Sequence, residues 1–283
     1  AGIARSRCVV DNVVRCRPPS NGLSKHCPAA YESCREGTRM LLAQVRPNLV
    51  ITFGNEPLQV ICDISGVLSW RGSVLWSERY QCKVLACLHP SFISRGNWKL
   101  HRTTLGDLKR AAREAQFPEL HAHVECFVLW PSVNQIENLC DRLIADNATV
   151  SIDIEIDQGA IVYLALAWSA HDALSVPFVK LTAPDVSEMY FTNNELTQVW
   201  SALDRLFRSS CVKVFHNGTD FDIPWLEQFG WQVVPPIHDT LHIHHILQSE
   251  LPHSLAFVAS TFTELSYWKY LGRSTAVAED NEK

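Results

Sequence analysis

The sequence predicts an α/β protein built as two domains, and three observations predict it. Up to residue 118, short β-branched runs alternate with helical stretches, the pattern of a mainly parallel sheet in a layered fold. Beyond that point strands come first and helices follow, which suits a mixed sheet with flanking helices. The charge also reverses: residues 1–118 hold 17 Lys/Arg against 8 Asp/Glu (+9) and residues 119–283 hold 8 against 22 (−14), which together give the net −5. A basic lobe suits a polyanion, and an acidic lobe suits cations. With 283 residues, 47% of them apolar, the chain can bury a core in each lobe.

Taken in order, "RCVVDNVV" (7–14), "NLVITFG" (48–54) and "CKVLACLHP" (82–90) are the predicted strands of the first lobe. Chemistry in such sheets gathers at the carboxyl ends of strands, here Asn12, Gly54 and His89 onward. "TTLGDLKRAAREA" reads as a helix that stops by Pro118, and the seam falls within 115–125. Ser132 with Gln135 makes a capping box for a helix whose Ile136, Leu139 and Leu143 share a face. Strands at 149–156 and 160–168 turn at Gly159. A β-rich stretch at 174–179, a helix near 194–208, the strand "CVKVFH" and three further helices complete the lobe.

Ten cysteines in a chain of this length, with no charged-then-apolar leader pattern at its start, point to a reducing, cytoplasmic setting. The longest apolar runs, such as "IVYLALAW" at 161–168, reach about half a membrane span, so no membrane partner is expected. A start without Met and an end in "AVAEDNEK" with no helix stop read as cut termini.

In a strand, residues two apart share a face, so Asp153 and Glu155 point one way while Ile152, Ile154 and Ile156 enter the core. Adjacent carboxylates repel unless a cation sits between them, and hard divalent cations favour such oxygens. "DIE" alone also fits a solvated edge strand. Asp222, in "FHNGTDFDIPWL", follows a β-run and opens a helix, with Phe221 and Ile223 expected to anchor its flanks. Asp220 is the freer competitor, and Asn217 adds a neutral amide.

These segments resemble the DEDD-type 3′→5′ exonucleases of ribonuclease H-like fold, in particular the proofreading domain of family A DNA polymerases, over about 128–283. "HDTLHIHHILQSELPHSLAFVASTF" (238–262) is similar to the helical segment that follows in that group. The resemblance implies two-metal hydrolysis with Mg²⁺ or Mn²⁺, Asp153 bridging both ions and Glu155 and Asp222 completing their shells. It also implies a fourth carboxylate, in Tyr-x-x-x-Asp or His-x-x-x-x-Asp spacing. Leu271 follows Tyr267, Ser274 follows Tyr270 and Val258 follows His253 at those spacings, so the fourth ligand is expected beyond Lys283. Asp239 aligns with a structural position.

The segments 8–22 and 86–96, with "RPNLVITFGNEPL" and "RGSVL" between them in order, resemble the family 4, iron–sulfur uracil-DNA glycosylases over about 1–115. The resemblance implies that Asn12 bonds the edge of a flipped uracil and that His89 stabilises charge on its ring. Ser91, Arg17 and Arg95 would contact phosphates. Cys16 and Cys34, with 17 residues between them, match two of four ligands of a 4Fe–4S cluster. The other two, and a Gly-rich acidic motif that positions water, lie upstream in that family. Cys8 and Cys27 do not match the motif, and Gly22 stands where the family commonly has Arg.

The expectation is therefore a fragment of a DNA replication or repair protein. A glycosylase-like three-layer domain truncated at its N-terminus (1–118) and a linker (119–127) precede a ribonuclease H-like exonuclease domain truncated at its C-terminus (128–283). Uracil-containing DNA and single-stranded 3′ ends are the expected partners, with a polymerase domain as the candidate to follow. The expected glycosylase activity is weak or absent and the exonuclease activity impaired. A DNA-binding module without catalysis and an RNA-trimming exonuclease are the alternatives.

Overall fold

Every residue of "CKVLAC" is buried, and that run forms the central strand of a three-stranded sheet. The computed structural model describes residues 2–17, 29–121, 124–183 and 186–271. Strand β1 (Val50–Phe53) runs parallel to β3 (Cys82–Cys87), with Val50 opposite Val84 and Phe53 opposite Cys87. Strand β2 (Val74–Ser77) is antiparallel on the other side. Alternation splits β3 between two cores: Val84 and Ala86, with Leu88 beyond, pack among Leu58, Val60, Ile61 and Val67, while Leu85 and Cys87 pack on Ala111. Helices α1 (Ala30–Val45), α2 (Asn55–Cys62), α3 (Val67–Trp70), α4 (Pro90–Ser94) and α5 (His101–Glu114) surround the sheet. Leu58, Val60 and Ile61 of α2 cover one face and Ala111 of α5 the other, the three layers the sequence predicts. Lys83, buried on the α5 side, donates to Glu114 (3.0 Å) and to the Glu119 carbonyl (2.9 Å) and lies 3.8 Å from the Phe117 ring centroid. That combination satisfies an ammonium group that would otherwise be costly inside.

The predicted strand over 7–14 does not form. Val9 and Val10 are 61% and 71% exposed, and only Val13 reaches the core. Asp11 instead accepts from the Asn12 backbone and pairs with Arg15, local bonds that offer the backbone an alternative to a sheet ladder.

The second unit carries a six-stranded mixed sheet in the order β11-β10-β5-β6-β7-β4. Its strands are β4 (Cys126–Val128), β5 (Thr149–Asp157), β6 (Ala160–Ala167), β7 (Asp172–Pro177), β10 (Val212–Phe215) and β11 (Ile237–Asp239). A separate hairpin, β8 (Val179–Ala183) with β9 (Val186–Met189), falls outside the sequence expectation. Helix α6 (Val133–Ala145) carries the predicted Ser132–Gln135 capping box, and α7 (Asn193–Arg208) has a second one, Thr192–Glu195. Ile152 and Ile154 enter a core shared with Ile136, Leu139, Leu143, Val199, Leu203 and Leu206. Helices α8 (Asp222–Gln228) and α9 (Thr240–Leu247) follow β10 and β11.

Packing divides the chain differently from the expected 1–118 and 128–283. The first unit runs to Ala122 and also takes the chain from Glu250 on, including helix α10 (Leu255–Phe262); the second is His123–Ser249. Segment 119–127 is not a free linker: its Glu119 carbonyl holds Lys83 in the first unit, and Cys126 begins an edge strand of the second. Among the described residues no helix is long and apolar enough to cross a membrane.

Candidate functional site

The acidic site forms where two parallel strands part. Pairing of β10 with β5 ends at Val214 opposite Ser151. Beyond that register β5 has β6 on one side only, and the Ile154 N–H on the open side donates to Asp222 Oδ1 at 3.1 Å. The gap thus places Asp222, first residue of α8, against the strand that carries Asp153 and Glu155. Such a parting of parallel strands at their carboxyl ends is where α/β sheets put their ligands.

The connecting loop is organised by Asp239. Its carboxylate accepts from the backbone of Asn217 (3.0 Å), Thr219 (3.3 Å), Leu241 (2.9 Å) and His242 (3.4 Å), and from Thr219 Oγ1 (3.2 Å). Burial alone would raise this carboxyl; the four backbone N–H groups hold it below its ordinary value. Asn217 adopts a left-handed φ of 67°, which asparagine tolerates, and at Gly218 an added Cβ would come 2.3 Å from Phe215 Cβ. An N-cap aspartate in "HDTL" is the sequence signal for this organising role.

Asp222 is 3% exposed. Burial, and then the charge of Asp153, push its carboxyl up to about 6 against the opposing pull of the Ile154 N–H. The expected apolar anchors divide: Ile223 packs at the edge of the core, but Phe221 is 42% exposed. Asp222 is held by burial and by the strand N–H instead. Asp220 faces solvent, as its freer neighbours imply, 3.9 Å from His242 Nε2. Asp153 and Glu155 are both exposed, on the face opposite Ile152 and Ile154. Among the described residues no three carboxylate, imidazole or thiolate groups are clustered as a metal cage. Asp153 and Asp222 nevertheless act on each other as like charges, and Glu155 stands two residues along the same face. That donor chemistry fits a hard divalent cation.

In the first unit, the carboxyl ends of β1 and β3 meet as expected. Gly54, at φ 98°, donates to the Cys87 carbonyl, and a Cβ there would lie 3.5 Å from His89 Cβ. His89 caps α4: its Nδ1 accepts from the Ser91 N–H at 3.1 Å and lies 2.7 Å from Ser91 Oγ. With Nδ1 an acceptor, the neutral ring carries its proton on Nε2. Arg17 and Arg95 are exposed. Asn12 is exposed too, and among the described residues its side chain makes no hydrogen bond to the His89 loop.

Arg15 lies against α1 at Gly37, where an added Cβ would meet its guanidinium at 2.0 Å, and so sets the Cys16 segment beside the helix that bears Cys34. Cys8 Sγ is turned to the Ala4 carbonyl, and Cys27 and Gly22 lie outside the described residues. Two thiols do not make a cluster site, and the described residues do not fit a 4Fe–4S group.

Comparison with known proteins gives two matches in series. Residues 1–117 match the uracil DNA glycosylase superfamily, and residues 132–273 match a 3′-5′ exonuclease family. A type-4 uracil-DNA glycosylase from Archaeoglobus fulgidus is 28% identical over 99 residues, covering 32% of this chain and 49% of that protein. The chain thus spans about half the length of that relative. Among solved structures, the apo form of a nuclease is similar at TM-score 0.37 and 16% identity, covering 54% of this chain and 67% of the other. The EXD2 exonuclease domain soaked in Mg and dGMP is similar at TM-score 0.29 and 23% identity, covering 48% and 68%.

Proposed function

We propose, from the premise that this chain belongs to the 3′-5′ exonuclease family, that its acidic unit removes nucleotides from DNA 3′ ends by metal-dependent hydrolysis and serves DNA repair or replication. One observation carries the reading: Asp222 is buried beside the strand that bears Asp153 and Glu155, and burial and then the charge of Asp153 push its carboxyl up to about 6, a cost that a bound cation would offset. Asp153, Glu155 and Asp222 would hold Mg²⁺ or Mn²⁺. Bound there, such ions supply an activated water and charge neutralisation at the departing 3′ oxygen. The chain's own part is to fix the carboxylates. The Ile154 N–H orients Asp222, and Asp239 gathers Asn217 and Thr219 so that the loop presents Asp222 to the open side of β5. The resemblance to family A proofreading domains supports a polymerase as the covalent partner of this unit.

For the basic unit the reading is recognition of uracil-containing DNA. His89, held as the Nε2–H tautomer by Ser91, would donate to a uracil oxygen, with Asn12 on the base edge and Ser91, Arg17 and Arg95 on phosphates.

The test is digestion of a 3′-labelled single strand with Mn²⁺. Shortening that stops with chelator and with Asp222→Asn is expected. Shortening that survives both overturns the assignment of this site, and faster loss of RNA than of DNA moves the substrate to RNA.

A further inference from the structure

Residues 250–271 fall within the match to the exonuclease family, yet they pack in the basic unit. Leu251, 6% exposed, shares a hydrophobic cluster with Leu88 and Ile93, which bracket His89 and Ser91 on either side, and Phe257 packs at its margin. Arg71, buried against Asp107, donates from Nη1 to Ser260 Oγ at 2.8 Å, and the Phe257 ring lies 5.6 Å from its guanidinium. Ser266 Oγ donates to the Val74 carbonyl (2.9 Å), and the Tyr267 N–H to Ser73 Oγ (3.0 Å). The Trp70 ring lies 5.1 Å from both Tyr267 and Tyr270. Gly72 donates to the Ala86 carbonyl, so all these contacts border the end of β3 that leads directly into His89.

We propose that the chain from Leu251 to Tyr270 is a positioning element for the His89–Ser91 loop: sequence that belongs to one family completes the floor beneath the motif of the other. Helix α4 is only five residues long and cannot hold itself in water, so its place depends on the cluster under Ile93. Leu251 and Phe257 fill that cluster from below, while the Arg71–Ser260 and Ser73–Tyr267 bonds fix where they lie. Any role of His89 in binding a base rests on the reading above; its placement does not.

The test uses the full chain and no substrate. In protein with ¹⁵N-labelled histidine, the His89 ring is expected to show the Nε2–H tautomer. Leu251→Ala and Phe257→Ala are each expected to speed amide exchange in residues 91–94 roughly tenfold or more. They should also draw the two His89 nitrogen shifts toward averaged values, and Leu251→Met should restore both signals. Protection in α6 and the behaviour of an Ile243→Ala control should stay as in the parent. Unchanged His89 shifts and α4 protection in Leu251→Ala overturn the proposal, as does an equal loss across α1, α4 and α5, which would make the segment a general stabiliser. Should Leu251→Ala fail to fold, the milder Phe257→Leu is judged by the same two measurements. Failure of uracil-DNA binding in the parent, with these signals as expected, sinks the glycosylase reading alone.

Discussion

Asp107 and Asp222 are both nearly inaccessible to water, and burial pushes both carboxyls up, but their neighbours differ in sign. Asp107 faces Arg71, whose Nε donates at 2.9 Å while a second guanidinium nitrogen bonds its other oxygen. Asp222 faces Asp153, and its relief is a backbone N–H. The fold has neutralised one buried charge and left the other opposed. A buried pair of opposite charges belongs to architecture, because removing either partner strands the other. A buried carboxyl that meets a second, exposed carboxylate has no such account, and it marks a place where stability is given up for a task.

Four substitutions break or sharpen that contrast. The largest effect is expected for Asp153→Asn, which removes the charge facing Asp222: exonuclease turnover should fall roughly a thousandfold or more, since several kcal/mol of metal-borne stabilisation is lost. Single-turnover digestion with saturating Mn²⁺ measures it, and wild-type turnover would reduce the pair to a structural accident. Next is Arg71→Ala, which strands Asp107 in the core and should cost about 3–5 kcal/mol in denaturant unfolding of the basic unit, whereas Arg71→Met with Asp107→Leu should recover most of it.

Asp222→Asn works in the opposite direction. The Asp222 carboxyl titrates near 6 when folded and at an ordinary 3.8 when unfolded. Below about pH 4 it is protonated in both states and costs nothing. As pH rises through 4–6 the unfolded chain releases its proton first, so stability falls and the cost is complete above 6. In chelator at pH 7.5 the variant should therefore gain about 2–3 kcal/mol, and at pH 4 almost none. A gain independent of pH would detach the substitution from the carboxyl charge. The smallest effect is Thr192→Ala, a helix cap that bonds neither aspartate, which should lower acidic-unit stability by about 1 kcal/mol and leave nuclease activity intact.

Much of the acidic unit was legible because its signals are local. Period-two alternation in "SIDIEID" sets the carboxylates apart from the core, and a Ser/Gln pair three residues apart announces a helix. The burial of Asp222 was legible in outcome but not in cause: the neighbours at 221 and 223 suggested apolar anchoring, whereas the strand parting that frees Ile154 is a property of pairing between distant segments. The same limit explains 7–14, where β-branched residues without a partner edge stay exposed. The Arg71–Asp107 pair and its bond to Ser260 have sequence separations of 36 and 189, and neither residue type announces its partner.

The return of the chain to the basic unit after Ser249 has a practical reach. A fragment ended at residue 118, the boundary the sequence suggests, would uncover Leu88, Ile93 and Trp70 and would leave Arg71 without its serine. Excising the acidic unit for separate work therefore calls for two incisions, one at each crossing of the chain between the units.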